Sequence, residues 1–195
     1  AYSTPLGLVP VDREALARLN DLLRESGGVE LAAVRRDQEH SLEIELPFLQ
    51  VTQPNGFWLV PLMMVDQSAS MARLLSAALL KLIQSFPPKE NALLLASSDL
   101  SHFYSERAAN RLDGNLADAL QEFDLNAFYQ RKQHGEMEAC GFAPMATVLQ
   151  TSRLLGAEQV TVADYRTSAA VTGDRSSVVG YLSAIISTGK ADLYA

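Results

Sequence analysis

The sequence predicts an α/β protein in which a mostly parallel central sheet is flanked by helices. Short apolar runs that end in turn-forming residues, such as Asn91–Ala96, alternate with longer segments whose leucines recur at helical spacing. The 195 residues are 48% hydrophobic, which is enough to bury one sizeable core, and no linker or repeat interrupts them. We therefore expect a single α/β/α domain over residues 1–195.

The first third of the chain alternates predicted strands and helices. Asp12 is placed to cap a helix that carries leucines on one face and ends at Gly27-Gly28. Strands are predicted at 8–11, 30–34 and 57–64, and a second helix at 41–49, after the charged residues 35–38. In that second helix, Pro47 is expected to act as a kink or a terminator.

The remainder of the chain continues the alternation. The longest helical run, 71–86, follows Ser68 as its N-cap and carries a wide apolar stripe that includes Leu79. Further helices are predicted at 105–122, 125–133 and 145–155, and strands at 91–96, 159–165 and 178–186. The last two strands are joined by the polar loop 167–177, which is either a binding loop or a mobile connection. Within this loop, Gly173-Asp174-Arg175 offers a local turn and ion pair.

The charge balance argues against two classes of partner. The formal net charge is −7 and no block of Lys or Arg appears, so neither nucleic acid nor an anionic membrane surface is an expected partner. No apolar run approaches the roughly 18 residues of a membrane span. A single cysteine excludes an internal disulfide and favours a reducing, cytoplasmic compartment. The sequence gives no indication of the oligomeric state.

Asp99 and His102 are the first candidates for chemistry. They follow the apolar run 91–96 and lie three positions apart. In open α/β sheets, ligands bind beyond the carboxyl ends of such strands, so both side chains are expected at a strand-to-helix turn of that kind. The alternative is that Asp99 only caps the following helix and that His102 is a solvated residue of its first turn.

The other two histidines and the single cysteine are further candidates. His40 precedes an amphipathic helix, where it either orients a carboxylate or binds substrate, or is simply solvated. His134 lies in a polar turn and is expected to be solvated. Cys140 precedes a predicted helix, whose N-terminus favours the thiolate as a nucleophile or soft metal ligand. The alternative for Cys140 is a buried small hydrophobe.

No P-loop, dinucleotide fingerprint, nucleophile elbow or CxxC zinc pattern is present, but four ordered segments resemble signatures of the Memo family. They are Glu39-His40-Ser41-Leu42-Glu43 with Leu46-Pro47-Phe48, Ser97-Ser98-Asp99-Leu100-Ser101-His102, Ala139-Cys140-Gly141 with Pro144, and Thr167-Ser168 with Gly173-Asp174-Arg175 and Val178-Val179-Gly180-Tyr181. The resemblance covers the chain from about Tyr2 to Ile186. Bacterial and archaeal members are often labelled AmmeMemoRadiSam system protein B. The family fold is similar to that of class III extradiol dioxygenases, which use non-haem iron.

The resemblance implies a metal site with an acid/base group beside it. Cys140 would be one ligand and two histidines of the family's N-terminal part the others, while Asp99 and His102 line the same pocket and His102 acts as acid/base. Cys140 occupies the place of a glutamate in the dioxygenases, and its sulfur favours Fe, Cu or Zn bound through thiolate. We assign His40 to the catalytic group as well. All four side chains are predicted to converge on one pocket.

One departure from the family bears on the metal. The motifs similar to His-Ala-Gly-Tyr and Gly-Pro-Ser-His, which carry the two histidine ligands, do not occur in these 195 residues. We therefore expect an N-terminally incomplete family member that binds metal only weakly by itself.

Two functions follow as expectations. The first is metal-dependent redox chemistry of the dioxygenase kind, or hydrolysis, on a small polar or aromatic substrate. The second is a non-catalytic scaffold or signalling protein that uses the same pocket to hold a metal or a peptide. Fold analogy does not decide between them.

Overall fold

The computed structural model describes residues 1–34 and 39–189. Over these residues the chain divides into two compact units. The first contains the described residues of Ala1–Asp66 together with Leu74–Leu93, and the second contains Gln67–Arg73 together with the described residues from Leu94 onward. The single-domain organisation stays a prediction. None of the helices in the described ranges is long and apolar enough to cross a membrane.

The first unit begins with an antiparallel hairpin and continues into two helices. Its elements are β1 (Tyr2–Thr4), β2 (Gly7–Val9), α1 (Arg13–Gly27) and α2 (Leu46–Thr52). Helix α1 starts as predicted, because the Asp12 carboxylate accepts a hydrogen bond from the Ala15 N–H at 2.8 Å. It ends at Gly28, whose φ of 66° lies in the left-handed region that glycine adopts without steric cost.

Several expectations for this unit are wrong. Residues 30–34 form no strand, and 57–64 contribute only an isolated parallel bridge between Leu59 and Val11. An apolar run indicates a tendency to be buried, whereas a strand also requires a paired edge for its backbone groups. Pro47 neither kinks nor ends α2; it lies in the first turn, where its missing N–H breaks no helical hydrogen bond. The charged residues 35–38 lie outside the described residues.

Helix α3 (Ala69–Gln84) carries the predicted apolar stripe. The Ser68 hydroxyl accepts a hydrogen bond from the Met71 N–H at 3.2 Å, as expected of an N-cap. The buried apolar residues recur at helical spacing: Ala72, Leu75, Ala78, Leu79 and Leu82. Leu79 is 7% exposed, whereas Ala77, two positions earlier, is exposed. The inward orientation of the stripe is therefore confirmed.

The second unit is built on a three-stranded antiparallel sheet in the order β3-β5-β4. Its elements are β3 (His102–Tyr104), α4 (Glu106–Glu122), α5 (Leu125–Gln133), α6 (Phe142–Leu154), β4 (Gln159–Thr167), α7 (Ala169–Thr172) and β5 (Val178–Ser187). Strands β4 and β5 pair along nearly their whole length. Helix α4 packs against them through Ala109, which is buried in a cluster with Ala169 and Val178.

The mixed α/β class is confirmed, but the mostly parallel sheet is not. Apart from the isolated Leu59–Val11 bridge, the strand pairs in the described part of the chain are antiparallel. Strands β4 and β5 are joined by 168–177 alone, which is too short for the crossover of a dozen or more residues that parallel neighbours need. The predicted strand at 91–96 does not form, and Leu93 and Leu95 within it are exposed.

Candidate functional site

Asp99 and His102 form a hydrogen-bonded pair in the second unit. Asp99 Oδ2 lies 3.3 Å from His102 Nε2, and the two side chains are 48% and 27% exposed. The segment between them is fixed to β5, because the Leu100 N–H donates to the Gly180 carbonyl and the Gly180 N–H donates to the Ser101 carbonyl, both at 3.0 Å. The pair is thus held by backbone contacts and is still accessible to a small molecule.

The helix-capping alternative for Asp99 is wrong. Helix α4 begins at Glu106 with Ser105 in the N-cap position, well beyond Asp99. His102 lies on strand β3 and not in a first helical turn. Sequence reasoning missed β3 because a three-residue strand is too short to show a periodic pattern. The Asp99 carboxylate therefore contacts the His102 imidazole and does not cap α4.

This contact indicates which imidazole nitrogen is available as a base. An ionised carboxylate only accepts hydrogen bonds, so in a neutral His102 the Nε2 atom carries the proton and donates it to Asp99. Nδ1 is then the unprotonated nitrogen, which can take a proton from a bound molecule. A carboxylate that orients an imidazole in this way is the arrangement used by general acid/base pairs.

Cys140 lies beside this pair. Its N–H donates to the Asp99 carbonyl at 3.2 Å, and its Sγ lies 3.4 Å from Ser98 Oγ. The same Ser98 hydroxyl accepts a hydrogen bond from the Gly141 N–H at 2.8 Å, so it joins the two segments that carry the candidate residues. The Cys140 side chain is exposed, and the alternative of a buried hydrophobe is therefore wrong.

Gly141 permits the close approach of these two segments. A Cβ atom at position 141 would lie 2.7 Å from Ser98 Cβ, a distance that packed side chains do not tolerate. The requirement is one of space, because the φ of Gly141 is −106°, which any residue adopts. Gly141 is also the N-cap of α6, so Cys140 precedes a helix as predicted.

Two tyrosines lie on the strands β3 and β5 that hold the Asp99–His102 segment. The Tyr104 hydroxyl donates to Glu138 at 2.8 Å and so joins β3 to the segment before Cys140. The hydrogen bond to Glu138, and then the negative charge of that carboxylate, raise the pKa of Tyr104 above its ordinary value. On β5, partial burial raises the pKa of Tyr181, and the Asp99 carboxylate adds to the rise. The Asp99 carboxylate thus disfavours the ionised form of Tyr181.

Sequence reasoning missed a buried acid that supports the pair. Asp113 on α4 is fully buried, and its carboxylate accepts hydrogen bonds from the Ser101 N–H at 3.0 Å, from the Ser101 hydroxyl at 3.1 Å and from the Tyr165 hydroxyl at 2.8 Å. A buried charge is tolerated only when it is paired in this way. The residue that precedes His102 is therefore anchored to helix α4.

The helical pattern of α4 carried a signal for this acid. Asp113 follows the buried Ala109 by four positions and precedes the buried Leu116 by three, so it falls on the inward face. An acidic residue on such a face requires an internal partner. Its partners Ser101 and Tyr165 are distant in sequence, and no local pattern identifies them.

His40 lies in the first unit, before α2. Its side chain is 81% exposed and its Nδ1 is 3.3 Å from Glu43 Oε1. The neighbouring Glu39 accepts hydrogen bonds from the backbone of Ser41 and of His40, and the bond from Ser41 is the main reason that the pKa of Glu39 is lowered. His40 lines an open cleft of about 340 Å³ together with Thr4 and other residues of this unit. The convergence of His40 with Asp99, His102 and Cys140 stays a prediction.

His134 and the loop after β4 complete the set of candidates. His134 is exposed and lies 3.5 Å from Glu136, in agreement with a solvated residue. In the loop 167–177, Arg175 pairs with Glu106 at 3.3 Å and not with its neighbour Asp174, so the predicted local ion pair is wrong. An open cleft of about 350 Å³ borders this loop and includes Glu106 and Arg175, and the binding role of the loop stays a prediction.

The described residues do not complete a metal site by themselves. No three His, Cys, Asp or Glu side chains within ranges 1–34 and 39–189 come together as potential ligands. Cys140 offers one exposed sulfur, and the polar side chain in contact with it, Ser98, is a hydroxyl. A mononuclear site ordinarily uses three or four protein ligands, so the described residues around Cys140 do not complete one, and no step through a metal follows from them.

The geometry defines a mixed α/β protein with an Asp–His pair beside an exposed cysteine, and the comparisons with known proteins identify the family. The sequence profile described as Memo-like protein matches residues 1–185 of the chain. This chain therefore belongs to the Memo family.

Curated relatives from archaea and bacteria agree. A MEMO1 family protein of Nitrosopumilus maritimus is 34% identical over 180 residues, which cover 92% of this chain and 63% of that protein. A MEMO1 family protein of Thermotoga neapolitana is 36% identical over 186 residues, covering 95% and 63% of the two chains. A third, of Methanobrevibacter smithii, is 35% identical over 184 residues, covering 94% and 63%. The chain thus spans 63% of the length of these relatives.

Proposed function

We propose that this Memo-family chain supplies the proton-transfer groups of a site similar to that of class III extradiol dioxygenases. The complete site carries out metal-dependent redox chemistry on a small polar or aromatic molecule. The observation that supports the proposal best is the 3.3 Å contact between Asp99 and His102 beside the exposed thiol of Cys140. His102 Nδ1 takes the proton of a bound hydroxyl group, and Asp99 stabilises the imidazolium that results.

The proposal includes a metal ion, Fe, Cu or Zn, with the Cys140 thiolate as one ligand. Because no cluster of three donors forms within the described residues, further ligands are required beyond those that surround Cys140. The activity of the whole protein is part of the same proposal, since the relatives that the chain matches are longer than the chain.

Turnover of a panel of catechols, with Fe²⁺, Cu²⁺ or Zn²⁺ added, tests the proton-transfer role in a longer form of the protein that supplies the further metal ligands; this chain alone should show no ring-cleaving turnover. His102→Gln should lower turnover by about 10²- to 10⁴-fold, the usual effect of losing a general acid/base. Asp99→Asn should also lower turnover, because an amide does not stabilise the imidazolium and can hold the imidazole in the other tautomer. His134→Gln is the matched control, since His134 also pairs with a carboxylate but lies outside the site. Equal turnover by the wild type and His102→Gln would contradict the proposal.

A titration with Co²⁺ tests the ligand role of Cys140. Thiolate coordination produces an intense near-ultraviolet band, which should develop only at high Co²⁺ concentration and be absent in Cys140→Ser. Tight stoichiometric binding by this chain would contradict the incomplete site described here. Metal binding and catechol binding without any turnover would favour the second function, a non-catalytic scaffold that holds a metal or a peptide.

A further inference from the structure

Phe103, next to His102, has a backbone conformation that is unfavourable for its residue type. Its φ of 63° lies in the left-handed region, where the Cβ of a bulky residue crowds the backbone. His102 pairs with Val179 and Tyr104 pairs with Val178, so Phe103 is the extra residue of a β-bulge. Glycine is the residue that ordinarily occupies a left-handed bulge position.

Burial does not offset this strain. The Phe103 side chain is 79% exposed and so gains little from the removal of apolar surface from water. Phe123 is the other non-glycine residue with positive φ in the described part of the chain, and it provides a comparison. It has a φ of 53°, but it is only 7% exposed and forms the C-cap of α4. Burial and capping account for Phe123, whereas neither accounts for Phe103.

The bulge holds the Phe103 ring beside the Asp99–His102 pair. The ring centroid lies 5.8 Å from that of the His102 imidazole, and the two planes are inclined by 45°. Bulges next to functional sites commonly redirect a side chain, and strained residues concentrate at such sites. An exposed phenyl face is a surface on which a second aromatic ring stacks favourably, at centroid distances of about 4.5–7 Å.

We propose that Phe103 is a ligand-contacting residue that stacks on a planar aromatic molecule and holds a hydroxyl group of that molecule against His102. The inference rests on the proposed function, since it assigns an aromatic class to the molecule whose proton His102 takes. A nucleic-acid base is a poor occupant of this surface because the chain carries a formal net charge of −7.

Binding of phenol and of cyclohexanol tests the stacking role, because the two probes share a hydroxyl group and a six-membered ring but differ in aromaticity. The His102 imidazole resonances report binding in an NMR titration. The wild type should bind phenol more tightly than cyclohexanol, and Phe103→Leu, which keeps an apolar side chain, should weaken phenol binding by about three- to tenfold with little change for cyclohexanol. Equal phenol affinity in the wild type and Phe103→Leu, or no phenol binding by the wild type, would overturn the proposal.

Thermal unfolding separates a ligand-contacting ring from a structural one. Phe103→Gly should leave Tm unchanged or raise it by about 2–4 °C, because the strain is relieved and little burial is lost. Phe123→Gly, the matched control, should lower Tm because its ring is buried. A fall in Tm for Phe103→Gly would show that the ring supports the fold and would overturn the proposal, whether or not the Phe123 variant folds.

The stacking role and the proposed function fail in different ways. If turnover depends on His102 but Phe103→Leu leaves phenol binding unchanged, the stacking role alone is contradicted. Phenol binding that depends on Phe103, without turnover of any catechol by the longer form of the protein, would contradict the proposed function and leave the stacking role supported.

Discussion

The backbone of Gly180 approaches the Asp113 carboxylate so closely that a single methyl group at position 180 would lie 1.9 Å from Oδ2. Helix α4 and strand β5 are therefore in direct contact beside the segment that carries Asp99 and His102. Because Ser101 donates two hydrogen bonds to the same carboxylate, the position of the pair depends on a buried charge that lies outside it.

Removal of this buried charge should destabilise the fold strongly. Asp113→Ala leaves the Ser101 N–H, the Ser101 hydroxyl and the Tyr165 hydroxyl without their acceptor, and the expected loss of unfolding free energy is about 3–5 kcal/mol. Asp118→Ala, on an exposed position of the same helix, should change it by no more than about 0.5 kcal/mol. Urea unfolding of both variants checks the prediction, and similar midpoints for the two would contradict it.

Alanine substitutions at glycines should have opposite effects according to the space around each. Gly180→Ala forces the Asp113 carboxylate away from its donors and should cost about 1–3 kcal/mol or more. Gly114→Ala, on α4, meets no atom within 4 Å and should stabilise the protein by about 0.5–1 kcal/mol through helix propensity. The two values are measured by urea unfolding. Stabilisation by Gly180→Ala would show that the Asp113 contact is absent in solution.

The hydrogen bond between Tyr165 and Asp113 should give a pH-dependent contribution to stability. Partial burial, and then this hydrogen bond, raise the pKa of Tyr165 above its ordinary value of 10.0. Tyr165 ionises at a higher pH in the folded protein than in the unfolded chain. Its neutral form therefore contributes its full stabilisation below about pH 10, and this contribution is lost as the pH rises further. Tyr165→Phe should therefore cost about 1–2 kcal/mol at pH 7 and less at pH 11. Unfolding of both proteins across this range checks the trend, and a constant difference would contradict it.

The apolar stripe of α3 should tolerate no charge. Leu79→Asp places a carboxylate at a buried position and should cost several kcal/mol, on the order of 3–5. Ala77→Asp, two residues earlier on the exposed face, is the matched control and should cost less than about 1 kcal/mol. Unfolding midpoints that agree for the two variants would show that the stripe does not face the core.

Long periodic elements and their caps were predictable from sequence. The Asp12 cap of α1 and the bounds of α5 depend on interactions within a few residues, and the apolar stripe of α3 is visible in its helical spacing. The structure confirms all three. The direction of strand pairing was not predictable in the same way. The run 91–96 is apolar, but its backbone partners depend on residues far along the chain, and no ladder forms there.

The candidate site likewise has features that local sequence predicts and features that depend on distant residues. The proximity of Asp99 and His102 follows from their spacing, while the position of Cys140 beside them depends on Ser98, a partner 42 residues away from it in sequence. The role of Asp113 and the bulge at Phe103 depend likewise on distant residues of β5. Residue types and local spacing therefore indicated the candidate residues, whereas long-range packing determines how their side chains are positioned.

A paramagnetic label on Cys140 shows whether His102 and Cys140 belong to one site. Cys140 is the only cysteine and the chain has three histidines, so a nitroxide on Cys140 reports on three imidazole signals at once. His→Gln variants assign the signals of His40, His102 and His134. Broadening of the His40 signal would in addition support the predicted convergence of that residue with the site.

The label should broaden the His102 signal beyond detection, and the signal should return when ascorbate reduces the nitroxide. A His102 signal of equal intensity before and after reduction would show that the two residues lie too far apart to act on one bound molecule.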